Sequence, residues 1–357
     1  MSKFTEERIL EDRFAVYSQQ RPWSKRDDRD EIWFFEPSDC RGLLESDALS
    51  SHRTGLADRV EQMGFPSLGR FFRQWLMYTD GDEHRHFRNA VVRALKREDA
   101  ETEVEKVEFA ATSEFELIKD FCEPYVWRVL PRILGLSREE SKFWQPRIAI
   151  LVALPGMENA GHAEANAAET SLLEIQNYLR STPCLLLSNL KQEIGEISDE
   201  VVLFNLVINV IGDGIHPTIA ALGSEIYIRM RSDFKADILP NELAFHQQAP
   251  FQFAARVASC QTNWKDVRIE VGQRVVACIG AANQIQATDS PSSLPMTFGH
   301  GRHACIGRSY ADRCIRSGYQ VFLEATNGNA QLVGEPRWKR SLGYRMIEEQ
   351  LVRVVGI

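Results

Sequence analysis

The stretch Phe298-Gly299-His300-Gly301-Arg302-His303-Ala304-Cys305-Ile306-Gly307 constrains this chain more than any other. It sets one cysteine in a glycine-bracketed loop that runs straight into a helical segment, Arg308 to Ala325. Gly299, Gly301 and Gly307 permit backbone geometries and close approaches that a side chain would block. A sulfur held just ahead of a helix N-terminus is stabilised as a thiolate by the helix dipole and by free amides. A soft anionic donor of this kind suits iron. Zinc is disfavoured, because His303 and Cys305 have no second Cys or His pair at ligand spacing nearby. The bland alternative for any cysteine is a small buried hydrophobe, and that is the expectation for Cys122, Cys184, Cys260 and Cys278.

Helical periodicity dominates the rest. Apolar residues recur at three- and four-residue spacing in Phe87 to Leu95, Phe115 to Leu136 and Ser171 to Leu179. The longest such run, Asp199 to Met230, opens on an acidic turn and holds Pro217 in its middle. Strand character is confined mainly to Val267 to Ile279, where two alternating runs flank Gly272-Gln273 and read as a hairpin. The expected fold class is mainly α with a small β region. No linker or repeat interrupts the 357 residues, so one domain spanning 1–357 is expected. A net charge of −8 gives no overall basic footprint for nucleic acid. The charged start lacks the apolar core of a signal peptide, and no charge-free run of about 18 apolar residues suggests a membrane span. Seven scattered cysteines fit a reducing cytoplasm.

The pattern Phe-Gly-x-Gly-x-His-x-Cys-x-Gly resembles the cysteine-ligand loop of the cytochrome P450 family, with Phe298, Gly299, Gly301, His303, Cys305 and Gly307 at its fixed positions. The resemblance runs from about Phe34 to the C-terminus. It implies the cytochrome P450-like fold and a haem b, iron protoporphyrin IX with an axial Cys thiolate from Cys305. It also implies cations for the haem propionates. Asp80-Gly81-Asp82-Glu83-His84-Arg85-His86-Phe87-Arg88 resembles the family's Asp-x-x-x-His-x-x-x-Arg, placing His84 and Arg88 four apart on one helix face. Arg256 matches the third propionate position and His303 the fourth. Arg256 also stands out by itself, as a lone charge in an apolar strand-like stretch.

Three departures from the family pattern matter. Aligning Gln248-Ala249-Pro250 with the family's turn puts Leu243 and His246 where a Glu-x-x-Arg pair is usual, with Glu242 one residue out of register. No Arg occurs between Arg274 and Arg302 to complete that ion triad, and the segment Asn283 to Thr297 is short. Loss of all three charges together is reasonable, since one left behind would be buried and unpaired. The central helix departs twice more, in Ile211-Gly212-Asp213-Gly214-Ile215-His216-Pro217-Thr218. Matching Gly214 to the family's oxygen-groove glycine puts His216 at the acid and Pro217 at the threonine, with Thr218 displaced by one. Pro217 deletes an amide and predicts a kink. His216 reads either as a proton donor or as a group that only hydrogen-bonds substrate or backbone. Asp213 is the candidate replacement acid, and Thr218 a hydrogen-bond donor if it swings inward.

The resemblance therefore implies an oxidoreductase acting on a small organic molecule, in specialised biosynthesis, with atypical proton delivery. Its alternatives are oxygen-independent haem-thiolate chemistry driven by peroxide or an N–O substrate, and a non-catalytic recruitment module. The loop at Ser51 to Leu76 and a lid at Leu154 to Thr182 would wall the substrate site. Electrons would come from a separate ferredoxin or reductase, steered by Arg302, Arg308, Arg313, Arg316, Arg93, Lys96 and Arg97. Neither nucleic acid nor membrane is an expected partner.

Overall fold

The run Glu31-Ile32-Trp33-Phe34 is apolar on both sides of a two-residue repeat, so it needs cover above and below. It receives both. Trp33 and Phe35 pack with Phe4, Tyr17, Ala255 and Val276, whereas Ile32 and Phe34 pack with Leu43, Val267, Ile269 and Val275. The computed structural model describes residues 3–99, 107–133, 135–157, 160–195, 199–231, 245, 247–289 and 294–355. Two compact units emerge, one of residues 1–50, 108–124 and 217–357, the other of residues 51–107 and 125–216.

The first unit holds the β-structure. Its strands are β1 (Trp23–Lys25), β2 (Glu31–Phe34), β3 (Leu49–Ser50), β4 (Glu114–Glu116), β5 (Ala254–Ala258), β6 (Thr262–Trp264), β7 (Val267–Ile269), β8 (Arg274–Ala277), β9 (Ala330–Trp338) and β10 (Ile347–Val354). They form a sheet in the order β1-β2-β8-β5-β3, a three-stranded sheet β4-β10-β9 and the pair β6-β7. β2 and β8 run parallel, Ile32 opposite Val275, and β5 lies antiparallel to β8 with Arg256 opposite Val275. Alternation turns Ala255 toward the Trp33 cluster and Arg256 to the other face. Helices Glu6–Gln19, Pro37–Glu45, Ile279–Asp289 and Arg308–Ala325 complete this unit.

The second unit is built from helices Gly55–Gln62, Pro66–Arg73, Gly81–Asp99, Arg138–Ala153, His162–Ser181 and Leu185–Ile194. A capping box starts one of them: Ser137 Oγ accepts from the Glu140 amide, and Glu140 accepts from the Ser137 amide. The central helix, Val201–Arg231, belongs to both units in sequence. It is long and apolar enough to cross a membrane by those measures alone, but 67% of its apolar window is buried inside the protein.

The mainly helical class is as expected, and Arg308–Ala325 has the expected bounds. Strand content is greater than expected, and the expected hairpin does not form. β7 instead pairs with β6 across the tight turn at Lys265, whose φ is 54°. β8 is a central strand, because Val275 and Val276 are both buried and need neighbours on either edge. The run from Phe115 opens as strand β4 and a π-helical turn, Leu117–Cys122, before α-helix begins. Residues 51–76, expected as a loop, hold two helices whose Phe71, Phe72 and Trp75 are buried. The expected lid holds the helix His162–Ser181. Cys260, expected inside, is exposed. Helical structure runs unbroken through Pro217.

Candidate functional site

Cys305 owes its position to backbone. Its amide donates to the Phe298 carbonyl at 2.7 Å, closing the loop on itself. Gly299 and Gly301 turn it at φ 70° and 68°, a region that side chains disfavour. Gly301 also packs where nothing larger fits, because an added Cβ would lie 2.9 Å from the Leu44 carbonyl oxygen. The outer side of the loop is tied to the segment after helix Pro37–Glu45: Arg302 donates to Asp47 at 2.7 Å and to the Leu49 carbonyl at 3.3 Å. His300 lies 2.8 Å from Glu45. Phe298 is gripped on two sides, by Phe245 edge-on at 5.0 Å and by the Arg308 guanidinium at 5.3 Å. The thiol itself is exposed, three residues before the first residue of helix Arg308–Ala325. An exposed cysteine held just ahead of a helix start is a ready metal ligand.

The cationic residues sit where their charge is costly without a partner. Arg256 is 6% exposed on β5, its Nη1 donating to the Ala255 carbonyl at 2.9 Å. His303 is half-buried in the cysteine loop. On the helix Gly81–Asp99 of the second unit, His84 is buried and Arg88 half-buried, one turn apart. The donor chemistry fits a haem: one soft anionic sulfur for iron, and imidazole and guanidinium groups suited to carboxylates.

Beneath the loop lies a network that sequence reasoning missed. Asn283, fully buried, donates to the Phe245 carbonyl at 3.1 Å and to Thr297 Oγ1 at 2.9 Å, and accepts from the Met296 amide at 2.7 Å. Thr297 in turn donates to the Phe245 carbonyl at 2.9 Å. Leu243 and His246, the positions matched to the family's ion pair, lie outside the described residues. Phe245 falls between them. A neutral side-chain network thus occupies the stretch where charges were missing, and it runs directly into the cysteine loop. The signal was present in the two ends of the shortened segment, Asn283 and Thr297. Replacing Asn283 with leucine should remove about 2–4 kcal/mol of stability, since it strands the Met296 amide. Chemical denaturation would measure this, and a loss below about 1 kcal/mol would make the network incidental.

The central helix carries the strangest acid. Both Asp213 oxygens accept from the Trp75 indole N–H, at 3.0 and 2.9 Å. Burial raises the Asp213 carboxyl to a pKa of about 7, against the pull of that indole bond. One turn earlier, Asn209 Oδ1 accepts from the Leu76 amide at 3.1 Å, so the helix holds the 75–76 turn at two points. Gly214 lies against Leu130, where an added Cβ would stand 3.3 Å from Cδ2. His216 is half-buried and, three residues from Asp213, shares its helix face. Thr218 is buried and lies roughly 140° around the helix from Asp213, so the acid and this alcohol do not converge.

The expected basic patch is weaker than its sequence suggests. Arg302 is matched by Asp47, Arg316 by Asp312 and Arg93 by Glu193. Arg308 and Lys96 are exposed, and the side chain of Arg97 lies outside the described residues.

No family model matches the chain. It is 22% identical, over 89% of its own length and 89% of the relative's, to a biotin biosynthesis cytochrome P450 of Bacillus subtilis (strain 168). It is 24% identical to cytochrome P450 107B1 of Saccharopolyspora erythraea, over 84% of this chain and 81% of that one. Among solved structures, P450BioI in complex with an acyl carrier protein ligated to hexadec-9Z-enoic acid superposes with a TM-score of 0.77 at 16% identity, covering 97% of this chain and 100% of that one. Epothilone D-bound P450epoK gives a TM-score of 0.78 at 14% identity, covering 97% of each chain. The bacillaene polyketide synthase cytochrome P450 PksS of Bacillus subtilis 168 gives 0.75 at 16%, covering 97% and 98%. A cysteine loop of this form, in this fold, makes the chain similar over most of its length to cytochrome P450s, a family whose members carry a cysteine-ligated b-type haem.

Proposed function

We propose that this haem-thiolate oxidoreductase oxidises a small organic molecule in a specialised biosynthetic pathway, and that Asp213 and His216 replace the family's acid–threonine pair in handling protons. The observation that carries the reading is the Cys305 loop, with its exposed thiol set by the Phe298 carbonyl and two left-handed glycines. When bound, a haem held by the Cys305 sulfur would supply oxygen activation. Arg256 and His303, with His84 and Arg88, are assigned to its propionates; Phe298, Gly299 and Gly307 shape the loop around the sulfur.

The chain's own contribution to the chemistry is proton control. A carboxyl with a pKa of about 7 is close to half-protonated at neutrality, so it both gives and regains a proton there. Trp75 fixes its direction, and His216, on the same helix face, is the next group able to pass a proton along. Gly214, between them in sequence, packs closely against Leu130. Thr218, buried on another face, takes no part as proton relay; it is retained only as a hydrogen-bond donor to its surroundings. The biosynthetic setting is supported by the relatives named for biotin and bacillaene formation. A separate ferredoxin-type donor and a cytoplasmic location complete the proposal.

Turnover should require dioxygen and a reductant; product formed anaerobically without either, or without peroxide, would overturn the monooxygenase reading. His216→Ala should lower turnover at least about 10-fold with haem content unchanged. Unaltered turnover would reduce His216 to a packing residue.

A further inference from the structure

The turn joining β9 to β10 carries positive charge that no carboxylate pairs with among the described residues. Its sequence, Lys339-Arg340-Ser341-Leu342-Gly343-Tyr344-Arg345, holds three cations and no acid, in a chain of net charge −8. Lys339 and Arg340 are exposed. Arg13, from helix Glu6–Gln19, joins them by donating from Nη2 to the Ser341 carbonyl at 2.8 Å. Arg13 is only 5% exposed, and its buried Nη1 meets no acceptor among the described residues.

Arg345 lies over the Trp338 ring, Cζ 3.4 Å from the centroid, and 5.5 Å from that of Phe14. Its Nε donates to Gln248 at 2.8 Å, while its backbone amide ties the turn to the Pro250 carbonyl. The acid within electrostatic reach is Asp12, but its carboxylate accepts from the Ala15 amide instead of pairing with Arg345. Burial and then the neighbouring charge of Arg13 hold Arg345 down to about 10. Arg13 reaches the turn at Ser341, and Arg345 reaches Phe14, the chain neighbour of Arg13. Two guanidiniums that no carboxylate pairs with among the described residues, one of them enclosed, thus meet in one neighbourhood, an arrangement that an anion would relieve. Guanidinium donors match oxyanions bidentately.

We propose that Arg13 and Arg345 form a binding site for an oxyanion, the carboxylate or phosphate group of a small organic ligand, with Lys339 and Arg340 drawing it in. Trp338, with Tyr227 edge-on to it at 5.8 Å, and Phe14 offer apolar surface for the atoms attached to that group. The site stands apart from the oxidation reading, since it invokes no step at the haem.

The test uses the full-length, haem-loaded protein and four probes: octanoate, octyl phosphate, inorganic phosphate and the uncharged octanamide. At about 100 times its dissociation constant, an anionic probe should raise the melting midpoint by roughly 4 °C, and octanamide should not. A stronger response to octanoate marks the carboxylate as the recognised group, and a stronger response to octyl phosphate marks the phosphate ester. Arg345→Gln and Arg13→Gln should each weaken binding at least 10-fold, with Arg345→Lys retaining part of it. Should Arg13→Gln not fold, Arg345→Gln and the exposed pair K339Q/R340Q carry the comparison, the latter lowering affinity more at low salt than at high. No saturable shift with any anion, an equal shift with octanamide, or undiminished binding in the arginine variants would overturn the site, whatever the enzyme's turnover.

Discussion

Cys305→Ala is expected to abolish the thiolate-type Soret band of the reduced, carbon monoxide-treated protein while leaving helical content unchanged. The two effects separate because the loop is held by groups that the substitution spares. The residue-305 amide still donates to Phe298, Arg302 still reaches Asp47, and Phe298 remains between Phe245 and Arg308. The cysteine side chain is exposed, so its loss from the haem-free protein should change stability by no more than about 0.5 kcal/mol. Cys305→His gives a second reading: it offers a metal ligand at the same place but a neutral nitrogen, so haem content should partly recover without the thiolate band. A thiolate spectrum surviving in the alanine variant would remove the sulfur from the iron and the proposed chemistry with it.

Asp213→Asn should lower turnover at pH 7 by about 100-fold and erase the limb of the pH–rate profile that falls near pH 7. Stability should move the opposite way, and its sign follows from linkage. The folded carboxyl titrates at about 7 against a usual value of 3.8. The folded state therefore binds this proton more tightly than the unfolded chain. That contribution is complete below the unfolded value and disappears as pH rises through about 7. Asparagine, which never ionises, should match wild type near pH 4 and exceed it at pH 8 by up to a few kcal/mol. Melting curves at the two pH values would measure this. Trp75→Phe provides the control: it deletes the bond that favours the ionised form, so the profile's limb should shift upward in pH. Identical pH dependence in wild type and Asp213→Asn would eliminate Asp213 as the titrating group.

The features legible in sequence were those encoded by neighbours along the chain. The cysteine loop depends on glycines within nine residues, and the helix Arg308–Ala325 on its own apolar spacing. The central helix was legible within a few residues despite Pro217, because its apolar run on both sides outweighs one missing amide. Sheet structure was less visible. β2 and β8 are four residues each and lie about 240 positions apart, so neither strand shows its partner. β9 is masked by Gly334 and Pro336, which suit an edge strand but read as loop. The same separation hid the side-chain chemistry. Trp75 and Asp213 are 138 positions apart, and the acceptor that unites Asn283 with Thr297 is a main-chain carbonyl, which composition cannot reveal.

Asn283 and Thr297 have no titratable proton, and that sets how the proximal architecture responds to its surroundings. The exposed anchors of the loop, among them Arg302 with Asp47, weaken under concentrated electrolyte. The amide–hydroxyl knot beneath them carries no net charge for salt to screen. A cysteine loop fastened in this way should keep its geometry across swings of ionic strength that would unfasten one secured by formal charge.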